Sequence, residues 1–153
     1  MAASSTAAAF VVALKAALTQ RFAAHGTLAA VQVSLKPTAD SSQIDEVVLL
    51  AGTVTGVQEY AAMGNQRSDS YEIPGRLNTY ATGMTDAALQ ESWDKAALIL
   101  DEVILQLRDT PTLTGNQLSK GRVTDIVYAH LPLDKGGWVT KCDYTIEYGS
   151  LVA

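Results

Sequence analysis

One stretch of this chain alternates without a break. From position 71 to 79 the odd sites hold Tyr71, Ile73, Gly75, Leu77 and Thr79, and the even sites hold Glu72, Pro74, Arg76 and Asn78. A period of two puts these sets on opposite faces of a strand, one dry and one wet. Shortly afterwards, from Thr85 and Asp86 to about Arg108, the period lengthens. Leu89, Trp93, Ala96, Ala97, Leu100, Val103, Ile104 and Leu107 fall on one side of a long helix. A strand with one dry face, followed by a helix with one apolar stripe, asks for two layers packed dry side to dry side.

The flanking segments extend this picture. A first helix is expected over Thr6–Ala24, with Phe10, Val11, Leu14, Ala17, Leu18 and Phe22 as its stripe. Ser4, Ser5 or Thr6 suits its N-cap, and His25-Gly26 suits its end. Residues 28–36 alternate as a strand that stops at Pro37. A second strand starts near Glu46, where VVLLA is apolar on both faces and predicts a covered position, and runs on through GTVTGVQEY. The stretch AAMGNQRSD reads as a polar hairpin loop. Pro74-Gly75 predicts an edge or a bulge in the alternating strand. In the long helix, Glu91 and Lys95 are spaced as an i,i+4 ion pair. Residues 123–131 and 139–151 form a closing hairpin across PLDKGG, with Cys142, Tyr144, Ile146 and Tyr148 on one face and Asp143, Thr145 and Glu147 on the other. The order α-β-β-β-α-β-β predicts an α+β domain: a mostly antiparallel sheet with two helices packed on one face. At 153 residues a single domain, 1–153, is expected.

Charge narrows the function. The net charge is −5 with a pI near 4.8, and Lys and Arg are scattered singly. Without a basic stripe there is no counterion-release term to hold nucleic acid. The lone cysteine, Cys142, allows no disulfide within the chain, so folding in the cytoplasm is expected. The N-terminal AAAFVVAL is broken at Lys15, has no basic residues before it, and is read as too short to span a bilayer; a soluble protein without a membrane partner is expected.

The residues that carry chemistry are sparse. His25 sits at a helix end, where a basic side chain serves as a cap, and His130 lies in a strand between Ala129 and Leu131. Neither has the spacing of a metal site. Cys142, in line with Tyr144 and Ile146, reads as core filler. Gly136-Gly137 reads as a turn. Asp40, Asp45, Asp69, Asp86, Asp125, Asp134 and Asp143 are dispersed, as solvated or capping carboxylates are. The expectation is a protein that is not an enzyme, with no catalytic, cofactor-binding or metal residues. Tyr60, Tyr71, Tyr80, Tyr128, Tyr144 and Tyr148 all lie in or beside strands. Tyrosine is favoured at protein interfaces, although the same residues can simply roof a sheet. The polar loops 61–70 and 132–138 stand at hairpin tips, where a small domain carries contacts.

The segments RSDSYEIPGRLNTYATG, DAALQESWDKAALILDEVILQLRDTPTLTG and VTDIVYAHLPLDKGGWVTKCDYTIEYGSL together resemble the tail terminator proteins of long-tailed, non-contractile bacteriophages. The family pattern is an Arg/Glu-rich strand entry leading to Tyr-x-Ile, an Ala-rich helix, an Asp-x-Pro-x-Leu-x-Gly turn and a final hairpin; Ser68-Asp69-Ser70 departs from it where the family often has acidic residues. Here these fall on 67–73, with Tyr71 and Ile73; on 87–107; on Asp109, Pro111, Leu113 and Gly115; and on 123–151. The opening helix and first strand fit in kind and order.

The resemblance implies a virion assembly protein that needs no cofactor. Such proteins form a hexameric ring on the head-proximal end of the tail, stop polymerisation of the major tail tube protein, and present a surface to the head–tail connector. DNA passes through the lumen without specific binding, and an acidic lumen suits that passage. For the protein contacts, the wet strand face and the two loops are the candidates: Arg67, Glu72, Arg76, Asn78, Tyr80, Asp134 and Lys135, with Glu72 and Arg76 pairing between subunits. Another neck or tail-completion protein is the nearest alternative. A small α+β ligand-binding domain, or an enzyme using His130 with Asp143 or Cys142, stands further off.

Overall fold

A computed structural model describes residues 6–36, 44–60, 67–110, 120–134 and 136–152. The elements are α1 (Thr6–Ala24), β1 (Gln32–Ser34), β2 (Glu46–Val48), β3 (Thr55–Tyr60), β4 (Arg67–Ala81), α2 (Asp86–Asp109), β5 (Lys120–Pro132) and β6 (Trp138–Val152). The sheet runs β1-β2-β4-β6-β5, and β3 pairs with β4 beside β2. Only the β1–β2 pair is parallel among these pairings. The α+β class with a mostly antiparallel sheet is therefore as expected.

The strand expected from Glu46 onward is two strands. β2 pairs with 76–78 and β3 with 67–72, so they occupy the same flank of β4 in series. Pro74 sits in the gap between them. A strand residue points its N–H and C=O to the same side, and the Pro74 carbonyl accepts from the Ala51 N–H at 2.9 Å on the gap side. The N–H that proline lacks therefore faces the gap, and the ladder to β6 runs through Pro74↔Thr145 without a bulge. β4 is thus a central strand with a local edge only where proline needs one. β1 is shorter than the expected 28–36, because 26–30 turn before the strand begins.

Both helices cover the dry face. Phe10 of α1 stacks on Tyr148 of β6 with ring centroids 4.2 Å apart. Phe10, Val11, Leu14, Leu18 and Phe22 are buried, each such burial being worth roughly 1.5–3 kcal/mol. By length and composition α1 is long and apolar enough over Ala7–Ala24 to cross a membrane, which corrects the expectation that it is too short. Phe10, Val11, Leu14, Leu18 and Phe22 point into the core, while Val12 is 60% exposed. Ser4 and Ser5, candidate caps, lie outside the described residues.

The buried side of α2 is rotated from the expected stripe. Ala88, Ser92, Ala96, Ile99, Leu100, Val103, Gln106 and Leu107 are buried, while Trp93 and Ile104 stay 42% and 37% exposed. Hydrogen bonds decide this. Ser92 and Thr140 share a hydroxyl contact at 2.7 Å, and the Thr79 hydroxyl donates to the Ser92 carbonyl at 2.6 Å. Apolar periodicity cannot see a serine and a glutamine that face inward. Thr85 caps α2, its side chain accepting from the Ala88 N–H at 3.2 Å.

Charged side chains lock the layers. Lys95 Nζ lies 3.1 Å from Asp45 Oδ2 and donates to the Tyr80 carbonyl at 2.9 Å, so it bonds across layers instead of pairing with Glu91 along the helix. Between the helices, Arg21 Nε meets Glu102 at 3.1 Å and Arg21 Nη1 meets Asp109 at 3.3 Å.

Candidate protein-contact surface

Among the described residues no helix covers the other face of the sheet. Three strands set its rows: Glu72↔Glu147↔Arg122, Arg76↔Asp143↔Val127, Asn78↔Lys141↔Ala129 and Tyr80↔Val139↔Leu131. Positive and negative side chains interleave across it. Arg122 Nη2 reaches Glu147 at 2.7 Å, and Arg76 Nε donates to Asp143 Oδ1 at 2.6 Å. Val127 and Leu131 stand among them at 61% and 44% exposure. Exposed charge pairs of this kind add little stability.

The candidate residues fare differently. Glu72 is exposed on this face as expected. Arg76 is held by Asp143 of its own chain, so the expected Glu72–Arg76 pairing would have to displace that bond. Asn78 is a correction: it is only 5% exposed, because β2 flanks it and places fully buried Glu46 directly opposite. The Ser34 hydroxyl donates to Glu46 Oε2 at 3.0 Å, while Glu46 Oε1 and Asn78 Oδ1 have no hydrogen-bond partner among the described residues. Tyr80 is half-buried, and its N–H donates to Asp45 at 3.0 Å. Arg67 opens β4 opposite Tyr60 and Val152. Asp134 is exposed in the turn between β5 and β6, and Lys135 lies outside the described residues, as do 61–66 of the first loop.

The residues with reactive side chains are engaged in structure. His130 Nδ1 lies 2.9 Å from the Thr140 hydroxyl, and its ring packs on Trp93 with centroids 4.6 Å apart. His25 Nδ1 accepts from the Thr27 N–H at 3.2 Å, leaving Nε2 toward Glu102 at 3.5 Å. Cys142 is fully buried, and that burial, with Asp143 nearby, pushes its thiol up to about 11. A thiol so held is a poor nucleophile at neutral pH. Asp69, expected in a loop, is instead buried within β4. Gly136 and Gly137 have φ of 83° and 131°, and Leu133 and Gly137 close the turn with an N–H···O bond of 2.9 Å. Among the tyrosines, Tyr144 and Tyr148 belong to the core, whereas Tyr60 is 70% exposed.

The sequence reading did not anticipate the lower end of the sheet. There β3, the last turn of α2 and the start of β5 border a cleft of about 1050 Å³. Arg108, Lys120 and Arg122 line it together with Tyr71, Leu107 and Tyr148. These residues are far apart in the chain, and no local pattern joins them. No protein-family model matches this chain, and no curated protein matches it either.

Proposed function

We propose that the chain is a tail terminator of a long-tailed phage, a structural protein whose subunits form a ring on the head-proximal end of the tail tube. What carries the reading is where the resembling segments fall. Their described parts map onto β4, α2, β5 and β6, the three longest strands and the helix that covers them, while Pro111, Leu113 and Gly115 of the turn lie outside the described residues. That unit is a plate with one side spent on the core and the other carrying the exposed side chains of Glu72, Arg122, Val127, Leu131 and Asp143. Repeated around a ring axis, such a plate makes a rigid collar, because a closed ring needs only one pair of unlike patches per subunit. One rim of the collar stops addition of tube protein, and the other receives the head–tail connector. The interleaved charges of the open face lack the basic stripe that would grip passing DNA.

Electron microscopy of a lysate in which the gene carries a stop codon tests this. Overlong, irregular tails beside DNA-filled, tailless heads are expected. Tails of normal length that fail to join heads would assign the protein to the connector side of the neck. Intact infectious particles would overturn the assembly role.

A further inference from the structure

Among the described residues the sheet has two unpaired edges at one level. Reading across the register gives the rows Thr55↔Glu72↔Glu147↔Arg122 and Val57↔Ser70↔Gly149↔Lys120. Here the sheet is β3-β4-β6-β5, antiparallel throughout, so β3 and β5 run in opposite directions. The outer flanks of β3 and β5 pair with no strand among the described residues. All of β3 is exposed, with Val57 at 57% and Tyr60 at 70%. A strand edge with exposed apolar side chains is a template for another chain.

We infer that the partner is a second copy, joined head to tail: β3 of one copy pairs antiparallel with residues 120–124 of β5 in the next. Three observations favour this occupant. The opposed directions of β3 and β5 let copies in the same orientation continue the antiparallel alternation across the junction. The charges also suit. In level register Lys120 stands opposite Val57 of the next copy, and Glu59, on the same face two residues further, lies diagonal to it and within reach. Pairing β5 with β5 about a dyad instead crowds Lys120 and Arg122 of both copies together, which like charges oppose. Finally, β1 and β2 fill this flank of the sheet above the level of β3. β5 breaks its ladder there, between Thr124 and Val127, with Asp125 at φ 54°. A bulge bends the strand that carries it, so only the lower half of β5 needs to join.

This contact closes the ring proposed above and rests on that reading only for the closure. Two experiments on the full chain test it. Val57→Cys with Lys120→Cys, oxidised with glutathione disulfide, is expected to give a ladder of covalent oligomers that neither single variant gives; Cys142 is buried and does not compete. Glu59→Lys and Lys120→Glu are each expected to weaken self-association roughly two- to fivefold per junction in light scattering. The double reversal is expected to restore it. A wild-type monomer at all concentrations, or a Lys120→Cys variant that cross-links alone to a dimer, would overturn the inference. So would oligomers that persist without cross-linking while circular dichroism stays native. Overlong tails without cross-linking would sink the pairing and leave the terminator; cross-linked rings with normal tails would do the reverse.

Discussion

The ring of Tyr144 on β6 lies against Gly75 on β4, so close that a Cβ at Gly75 would overlap it. Tyr144 is fully buried there and its hydroxyl donates to the Val48 carbonyl at 3.4 Å, tying β6 to β2 across the intervening strand. Gly75→Ala must push the ring aside in a packed core and is expected to cost about 1–3 kcal/mol. Guanidinium unfolding measures it.

Lys95 and Asp45 join α2 to the entry of β2. Their side chains are 26% and 21% exposed, and Asp45 also accepts from the Tyr80 N–H. Removing Asp45 leaves both Lys95 and that N–H short of a partner. Asp45→Ala is therefore expected to cost more than Lys95→Met, roughly 1–3 kcal/mol. A double-mutant cycle should return a coupling energy above the scatter of exposed pairs.

Alkali should unfold this protein from one direction. Burial raises the Cys142 thiol from 9.0 to about 11. Burial, and then Cys142, raises the Tyr144 phenol above its usual value. Groups whose folded pKa is raised keep their protons longer in the folded state. Their contribution is whole below the unfolded pKa and drains away as pH climbs through the folded one. Stability is expected to fall from pH 9 toward 11 on account of Cys142, and Cys142→Ala to make that decline shallower. Thermal melts between pH 7 and 11 would show it.

Thr140 is buried between Ser92 and His130. Thr140→Val keeps the shape but leaves the Ser92 hydroxyl and the His130 ring without this partner. A loss of about 1–3 kcal/mol is expected. Trp93, packed on His130, should report the disturbance through a shift in its fluorescence.

Arg76→Glu tests the open face. The Arg76–Asp143 pair is exposed, so its loss should change stability by less than about 1 kcal/mol. If this face meets the tube or the connector, phage yield by complementation should fall sharply while the melting curve barely moves.

How much was legible follows from how local each signal is. The limits of α1, the dry face of β4 and the closing hairpin are written in short-range periodicity, and they stand as read. Apolar periodicity does not reveal the buried face of α2, because Ser92 and Gln106 face inward with hydrogen bonds to Thr140 and Arg21, far away in sequence. Nothing near Asn78 and Asp69 in the sequence announces the strands paired on both sides of them. For the same reason the candidate contact surface is legible only in part. The alternation marks Glu72 and Arg76 as outward-facing, but only the strand order shows that β3 and β5 are edges. The split between β2 and β3 needed the position of Pro74 against a partner, which a single strand cannot reveal.

The last element in chain order, β6, lies between β4 and β5. Every residue of β4 from Arg67 to Ala81 has its register partner there. On the ribosome, then, the sheet cannot be completed in the order in which it is made: β4, ending at Ala81, must wait with one edge open for a neighbour that begins only at Trp138, beyond α2 and β5. Such nonlocal closure is slow and exposes sticky intermediates. The nascent chain should therefore lean on chaperones until β6 slots in, and truncation before β6 should yield aggregates and not a smaller domain.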